Sequence, residues 1–160
     1  NALSLISSTD ISIADNVISN STISDLYAEN SNATLFNTTI DVEKTNITGV
    51  SALSVAAIID IKPDTLNLKS KGRWITSYIE TLGVDVGKTN VSTVTLDTIK
   101  AETHPTEIGD YDSDGVPDLM VKFDRALVES IVSIGNVTLE VSGKIGGLIF
   151  EGSDIIRVIG

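Results

Sequence analysis

The sequence predicts an all-β protein: an Ig-like β-sandwich carried behind an N-terminal β-rich arm. Three observations predict it. Hydrophobic residues make up 41% of the chain, yet only seven of its 160 residues are aromatic. Ile, Val and Leu must therefore fill the core, and β-branched side chains favour strands. Short runs of alternating polarity recur from Ala57 onward, as where Val137, Leu139 and Val141 alternate with Thr138, Glu140 and Ser142, the pattern of a sheet with one wet face. Turn signals separate those runs at a steady rhythm, and seven or eight strands in roughly 100 residues suit a sandwich.

Residues 1–55 have a different texture from residues 56–160, and the boundary divides the chain into two expected units. The first unit is rich in Ser, Thr and Asn, has no proline, one glycine (Gly49), and one basic residue (Lys44) against six acids. A flexible linker would lean on Gly and Pro. Here apolar residues come in short β-like clusters instead: Ile11 with Ile13, Ile23 with Leu26, Leu35 with Ile40 and Val42, and Ile47 with Val50. Ile11, Ile23, Leu35 and Ile47 are spaced by twelve, which resembles the rungs of a parallel β-helix. Two alternatives stay open: irregular strands added to the following sheets, or an arm donated to an open sheet edge of a neighbouring subunit.

In the second unit the expected strands are 57–62, 65–69, 74–80, 91–96, 119–124, 136–142, 148–151 and 154–159. Pro63-Asp64, Lys71-Gly72, Gly83 to Gly87, Gly143 to Gly147 and Gly152-Ser153 separate them. Residues 125–131 read as the one short helix, with Asp124 as its cap.

The most specific stretch is Asp110 to Asp118, Asp-Tyr-Asp-Ser-Asp-Gly-Val-Pro-Asp. A hard divalent cation takes six to eight oxygens at about 2.3–2.6 Å, and a tight turn supplies them from alternate residues. Asp110, Asp112 and Asp114 are the expected side-chain ligands. Gly115 takes the sharp turn, Val116 offers its carbonyl, and Asp118 closes the shell. An EF-hand needs a bidentate Glu at loop position twelve, where this chain has Val121 inside an apolar run. Calcium is therefore expected to staple the start of a strand. Without an ion the same residues make an acidic surface turn, since Asp and Gly favour turns for local reasons, but carboxylates held this close repel.

A net charge of −11 argues against nucleic acid or an anionic membrane surface as partner. No run is apolar enough for direct membrane insertion as a helix. There is no cysteine, so neither disulfides nor thiol chemistry arise. Asn-X-Ser/Thr sequons stand at Asn20, Asn32, Asn37, Asn46, Asn90 and Asn136. That excess points to an extracellular or cell-surface chain carrying glycans, although a Ser/Thr/Asn-rich arm generates sequons by composition. The chain starts with Asn, which is expected of a processed chain or a piece of a longer one.

Catalytic signals are thin, and the chain is not expected to be an enzyme. His104 is the only histidine and cannot build a zinc site without cysteines; packing or hydrogen bonding is the expected role. Glu102, Glu107 and Asp110 lie beside the metal loop and do not suggest two carboxylates across a sugar-sized cleft. Trp74 and Tyr78 share one face of a strand, either as a sugar-stacking platform or, for a lone Trp in a small sandwich, as core.

The loop resembles the calcium loops of FG-GAP and integrin-propeller repeats and of thrombospondin type 3 repeats. More extensively, Ile-Asp-Ile-Lys-Pro at 59–63, Leu-Asn-Leu-Lys-Ser-Lys-Gly at 66–72, Val-Ser-Thr-Val at 91–94, His-Pro-Thr-Glu at 104–107, Gly-Asp-Tyr-Asp-Ser-Asp-Gly at 109–115, Asp-Leu-Met-Val-Lys-Phe-Asp-Arg at 118–125 and Phe-Glu-Gly-Ser-Asp at 150–154 resemble an uncharacterised module of large archaeal and bacterial cell-surface proteins. The resemblance covers about the last two-thirds of the chain and implies a surface-exposed, calcium-bearing β module. The expected function is a non-catalytic structural one, in a cell-surface layer, sheath, pilus or fibre, through self-association or contact with neighbouring repeats. The alternative is a carbohydrate-binding module attached to a secreted enzyme.

Overall fold

The computed structural model describes the backbone of six short N-terminal strands and of residues 50–160 except Leu82, and side chains from Ser54 onward. The N-terminal strands are β1 (Leu3–Ile6), β2 (Ile11–Ala14), β3 (Val17–Ile18), β4 (Leu26–Glu29), β5 (Ser31–Phe36) and β6 (Thr39–Ile40). They are followed by β7 (Val50–Lys62), β8 (Thr65–Asn67), β9 (Trp74–Thr81), β10 (Thr89–Leu96), β11 (Ile99–Lys100), β12 (Glu102–Gly109) and β13 (Asp118–Asp124). The one α-helix among the described residues is α1 (Arg125–Ile131), and β14 (Gly135–Ile145) and β15 (Leu148–Ile159) complete the chain.

All pairings among the first six strands are parallel: β1 with β4, β2 with β5 and β3 with β6. Leu3 faces Leu26, Ile11 faces Ala33 and Val17 faces Thr39, so partners lie roughly 22 positions apart, not twelve. Ile11 and Leu35 are not in register with each other; Leu35 faces Ile13 and, on its other side, Val55. Ile23 and Ile47 lie outside the described residues. The arm thus has the parallel pairing of stacked rungs, and β5 pairs in parallel with β7.

The long strand β7 joins two parts of one sheet. Its first half runs parallel to β15, while residues 57–62 pair antiparallel with β9. The main path is β11-β10-β14-β15-β7-β9-β13-β12, and β12 returns close to β10. The all-β class therefore holds, with one nearly closed, barrel-like sheet where two separate antiparallel sheets were expected. The physical reason sits where β7 parts from β15. A Cβ on Gly152 would lie 2.2 Å from the Ala57 carbonyl oxygen, so only glycine permits this approach. Beyond it the Asp154 side chain accepts the Ile61 N–H at 2.8 Å, replacing the ladder bond that β7 no longer receives from β15.

The inside of this sheet holds the core, which includes Ile59, Ile61, Ile75, Ile79, Val121, Phe123, Leu139, Val141, Phe150 and Ile156. Alternate residues of the antiparallel trio β7, β9 and β13 point inward. Their outward positions form cross-strand rows: Ile58, Glu80 and Asp118; then Asp60, Tyr78 and Met120; then Lys62, Thr76 and Lys122.

Several expected elements need correction. The strand expected at 148–151 and that at 154–159 are one strand, since Gly152 lies inside β15. Neither β11 nor β12 was expected; among the described residues β12 pairs only with β13, and it is mostly exposed, so it lacks the alternation by which strands are read. The helix is where the sequence places it, and the Asp124 carboxylate accepts the N–H groups of Ala126 at 2.8 Å and Leu127 at 3.2 Å.

Candidate metal centre

The loop between β12 and β13 is shaped by its own aspartates. Asp110 accepts the N–H of Asp114 and of Gly115, both at 3.1 Å. Asp112 also accepts from Asp114 at 3.1 Å, Asp114 from Val116 at 2.7 Å, and Asp118 from Tyr111 at 2.8 Å. Ser113 and Gly115 both have left-handed backbone, with φ of 67° and 92°, and glycine is the residue best suited to the second. These turns draw the carboxylates together.

One oxygen each from Asp110, Asp112 and Asp118 lies within 4.8 Å of the others, and the same holds for Glu80, Asp112 and Asp114. Two ligands at about 2.4 Å from one cation can be no more than about 4.8 Å apart, so each triad can hold a metal ion. Asp112 belongs to both. Val116 is half-buried and its N–H turns toward Asp114.

Glu80 is the residue that sequence reasoning missed. It sits directly opposite Asp118 in the β9–β13 ladder, on the outward face that would ordinarily meet solvent. The acidic loop lies over that face, for Glu80 is only 2% exposed and Asp118 only 6%. Glu80 Oε1 is buried and, among the described residues, has no hydrogen-bond partner. Burial raises the pKa of Glu80, and the charges of Asp114, Asp118 and Asp112 and a side-chain hydrogen bond shared with Asp114 raise it further. Burial likewise raises Asp118; the Tyr111 N–H opposes the rise, while Asp112, Asp114 and Asp110 reinforce it. Two carboxylates facing each other across a ladder repel, and desolvation adds to the penalty.

Beside the cluster runs a groove of about 270 Å³ whose lining includes Ile58, Asp60, Lys62, Tyr78, Tyr111 and Glu80. The rings of Tyr78 and Tyr111 lie 4.5 Å apart, tilted by 40°. The Tyr111 hydroxyl has a raised pKa, from burial and from neighbouring Glu107. Lys62 bonds to both Asp64 and Asp60, at 2.6 and 2.9 Å, and its pKa is raised chiefly by Asp64.

Other expected residues lie elsewhere. Trp74 is half-buried, neither core nor open platform, with the Arg73 guanidinium 4.4 Å above its ring. Tyr78 finds its aromatic partner in Tyr111. His104 is exposed on β12, so it has no packing role. Glu102 and Glu107, also exposed on β12, join neither carboxylate triad. Asn90 and Asn136 are exposed, and the Asn90 side chain accepts from Ser92 Oγ at 2.7 Å. Asn20, Asn37 and Asn46 lie outside the described residues, as does the side chain of Asn32. Among the described residues no helix is long and apolar enough to cross a membrane. Comparison of the chain with protein-family models and with curated proteins finds no match.

Proposed function

We propose that this chain is a non-catalytic, extracellular structural module, a repeat or subunit of a cell-surface layer, sheath, pilus or fibre, whose sheet is stapled by calcium. The observation that carries the proposal is the convergence of the Asp110–Asp118 carboxylates on the sheet's outer face. Oxygen-only donors of this density suit a hard cation such as calcium better than zinc or copper. Asp110, Asp112, Asp114, Asp118 and the Val116 carbonyl are the proposed loop ligands. The parallel pairing of the arm and its continuation into β7 favour a role in an extended assembly, since stacked rungs bury their faces on neighbours.

The test combines melting with imaging. Calcium should raise the melting temperature over that in chelator, and the purified chain should form oligomers or fibres in calcium. Identical melting in both would remove calcium, and a monomer under every condition would remove self-assembly. A carbohydrate-binding module is the second reading, favoured by the Tyr78–Tyr111 pair in its groove. Saturable binding of soluble oligosaccharides, lost in Tyr111→Ala, would establish it over the first.

A further inference from the structure

We propose that Glu80 is a direct ligand of the cation, so that the site is a clamp between the loop and strand β9. This inference rests on the calcium reading above and names a ligand from outside the loop.

Two independent observations lead to it. The first is position: one Glu80 oxygen lies within 4.8 Å of oxygens from Asp112 and Asp114, the span that one ion imposes on its ligands. The second is the state of Glu80 itself, 2% exposed with Oε1 lacking a hydrogen-bond partner among the described residues. A buried acceptor without a donor costs free energy, and native chains rarely keep one without a use. Its nearest charged neighbours are more carboxylates; Asp114 shares a hydrogen bond with it only while one of the two keeps a proton, and none can relieve it when all are ionised. A divalent cation relieves all of them at once. The loop fastens its own backbone with aspartate oxygens, including both of Asp110, which leaves room for an oxygen supplied from the neighbouring strand. Glu80 is fixed in place by seven ladder pairs between β9 and β13, so the ion would tie a rigid strand to an exposed loop.

Terbium luminescence tests this directly, because Tb³⁺ replaces calcium at oxygen sites and the Tyr78–Tyr111 pair stands beside the cluster to sensitise it. The decay rates in H₂O and D₂O count waters on the bound ion. Glu80→Leu should add about one or two waters and weaken calcium competition roughly tenfold or more. Wild-type affinity and water count in Glu80→Leu would overturn the proposal. So would weaker binding with an unchanged water count, which would mean that Glu80 acts through its charge alone. Should Glu80→Leu not fold, Glu80→Asp keeps the charge but withdraws the oxygen by one methylene, and the same gain of water is expected. If the wild-type protein binds neither Tb³⁺ nor calcium, the calcium reading itself falls and Glu80 with it. Binding by wild type that Glu80 variants leave untouched would remove Glu80 alone.

Discussion

Two buried charges, about 45 residues apart in the chain, meet opposite fates in this fold. Arg125, at the first turn of α1, is 6% exposed and makes three side-chain hydrogen bonds. Its Nε donates to Glu129 at 2.7 Å, and Nη2 donates to the Asn67 carbonyl at 2.7 Å and to Ser70 Oγ at 2.5 Å. Glu80 is buried even more deeply, yet its charged neighbours are acids and Oε1 has no partner among the described residues. A buried charge is tolerated when it is paired and hydrogen-bonded. The first site meets that condition with protein atoms; on the proposed reading, the second meets it through a bound cation. The comparison sets a knot made within the chain against one that, on that proposal, the medium completes.

The largest effect is expected at the knot made within the chain. Arg125→Leu removes three hydrogen bonds and strips Glu129 and Ser70 Oγ of their Arg125 donor, while the Asn67 carbonyl keeps the Ser70 N–H, at a cost of about 3 kcal/mol. That corresponds to a fall in melting temperature of roughly 6–12 °C for a chain of this size. The loss should be the same in calcium and in chelator. A calcium-dependent loss would show that the two knots are coupled.

Next is Asp112→Ala, at the residue common to both triads. Calcium at a hundred times its Kd stabilises a single-site protein by about 2.7 kcal/mol, or roughly 5–10 °C here. The variant should lose that increment and melt in calcium as it does in chelator. A variant that still gains the full increment would move the ion elsewhere.

A smaller effect, of definite sign, follows from protonation in chelator. Glu80 and Asp118 both have pKa values raised from their ordinary values, so the folded state holds these protons more tightly than the unfolded chain. Their contribution is fully present below the unfolded carboxylate pKa values, near 4, and is lost as pH rises through the raised folded values. Through these groups, the chelated protein should lose stability as pH rises above the ordinary carboxylate values. With calcium bound the trend should reverse, because the ion needs ionised ligands. Melting curves across this range, with and without chelator, check both signs.

Much of this arrangement was legible in local patterns. The Asp124 cap followed by seven helix-forming positions places α1, and alternation places β13 and most of β14. The carboxylates of the acidic loop stand at alternate positions from Asp110 to Asp114 and are visible without any fold. Glu80 was not visible, because it stands on the face of β9 shared with Trp74, Thr76 and Tyr78 and reads as an ordinary solvent position. Only the pairing of β9 with β13, and the loop lying over that pair, turn it inward. Strand β12 was missed for a related reason: as an exposed edge it needs no alternate apolar side chains. The unbroken course of β15 depends on a close approach at Gly152 to Ala57, residues nearly 100 positions apart, and no local pattern encodes that.

The smallest expected effect comes from a third charge, whose geometry matches Arg125 but whose surroundings do not. Lys62 Nζ lies 2.6 Å from Asp64 and 2.9 Å from Asp60, distances like that from Arg125 to Glu129. Its side chain is 45% exposed, and those of Asp60 and Asp64 are 49% and 74% exposed. Water and salt screen such pairs, and holding a long lysine in one rotamer offsets part of the attraction. Lys62→Ala should therefore cost less than about 1 kcal/mol, with the difference shrinking as salt rises toward 1 M. The calcium increment should persist, since Lys62 lines the groove without offering an oxygen. A loss as large as that of Arg125→Leu would mean that short distances decide the strength of these knots; a small, salt-sensitive loss would leave burial as the deciding term.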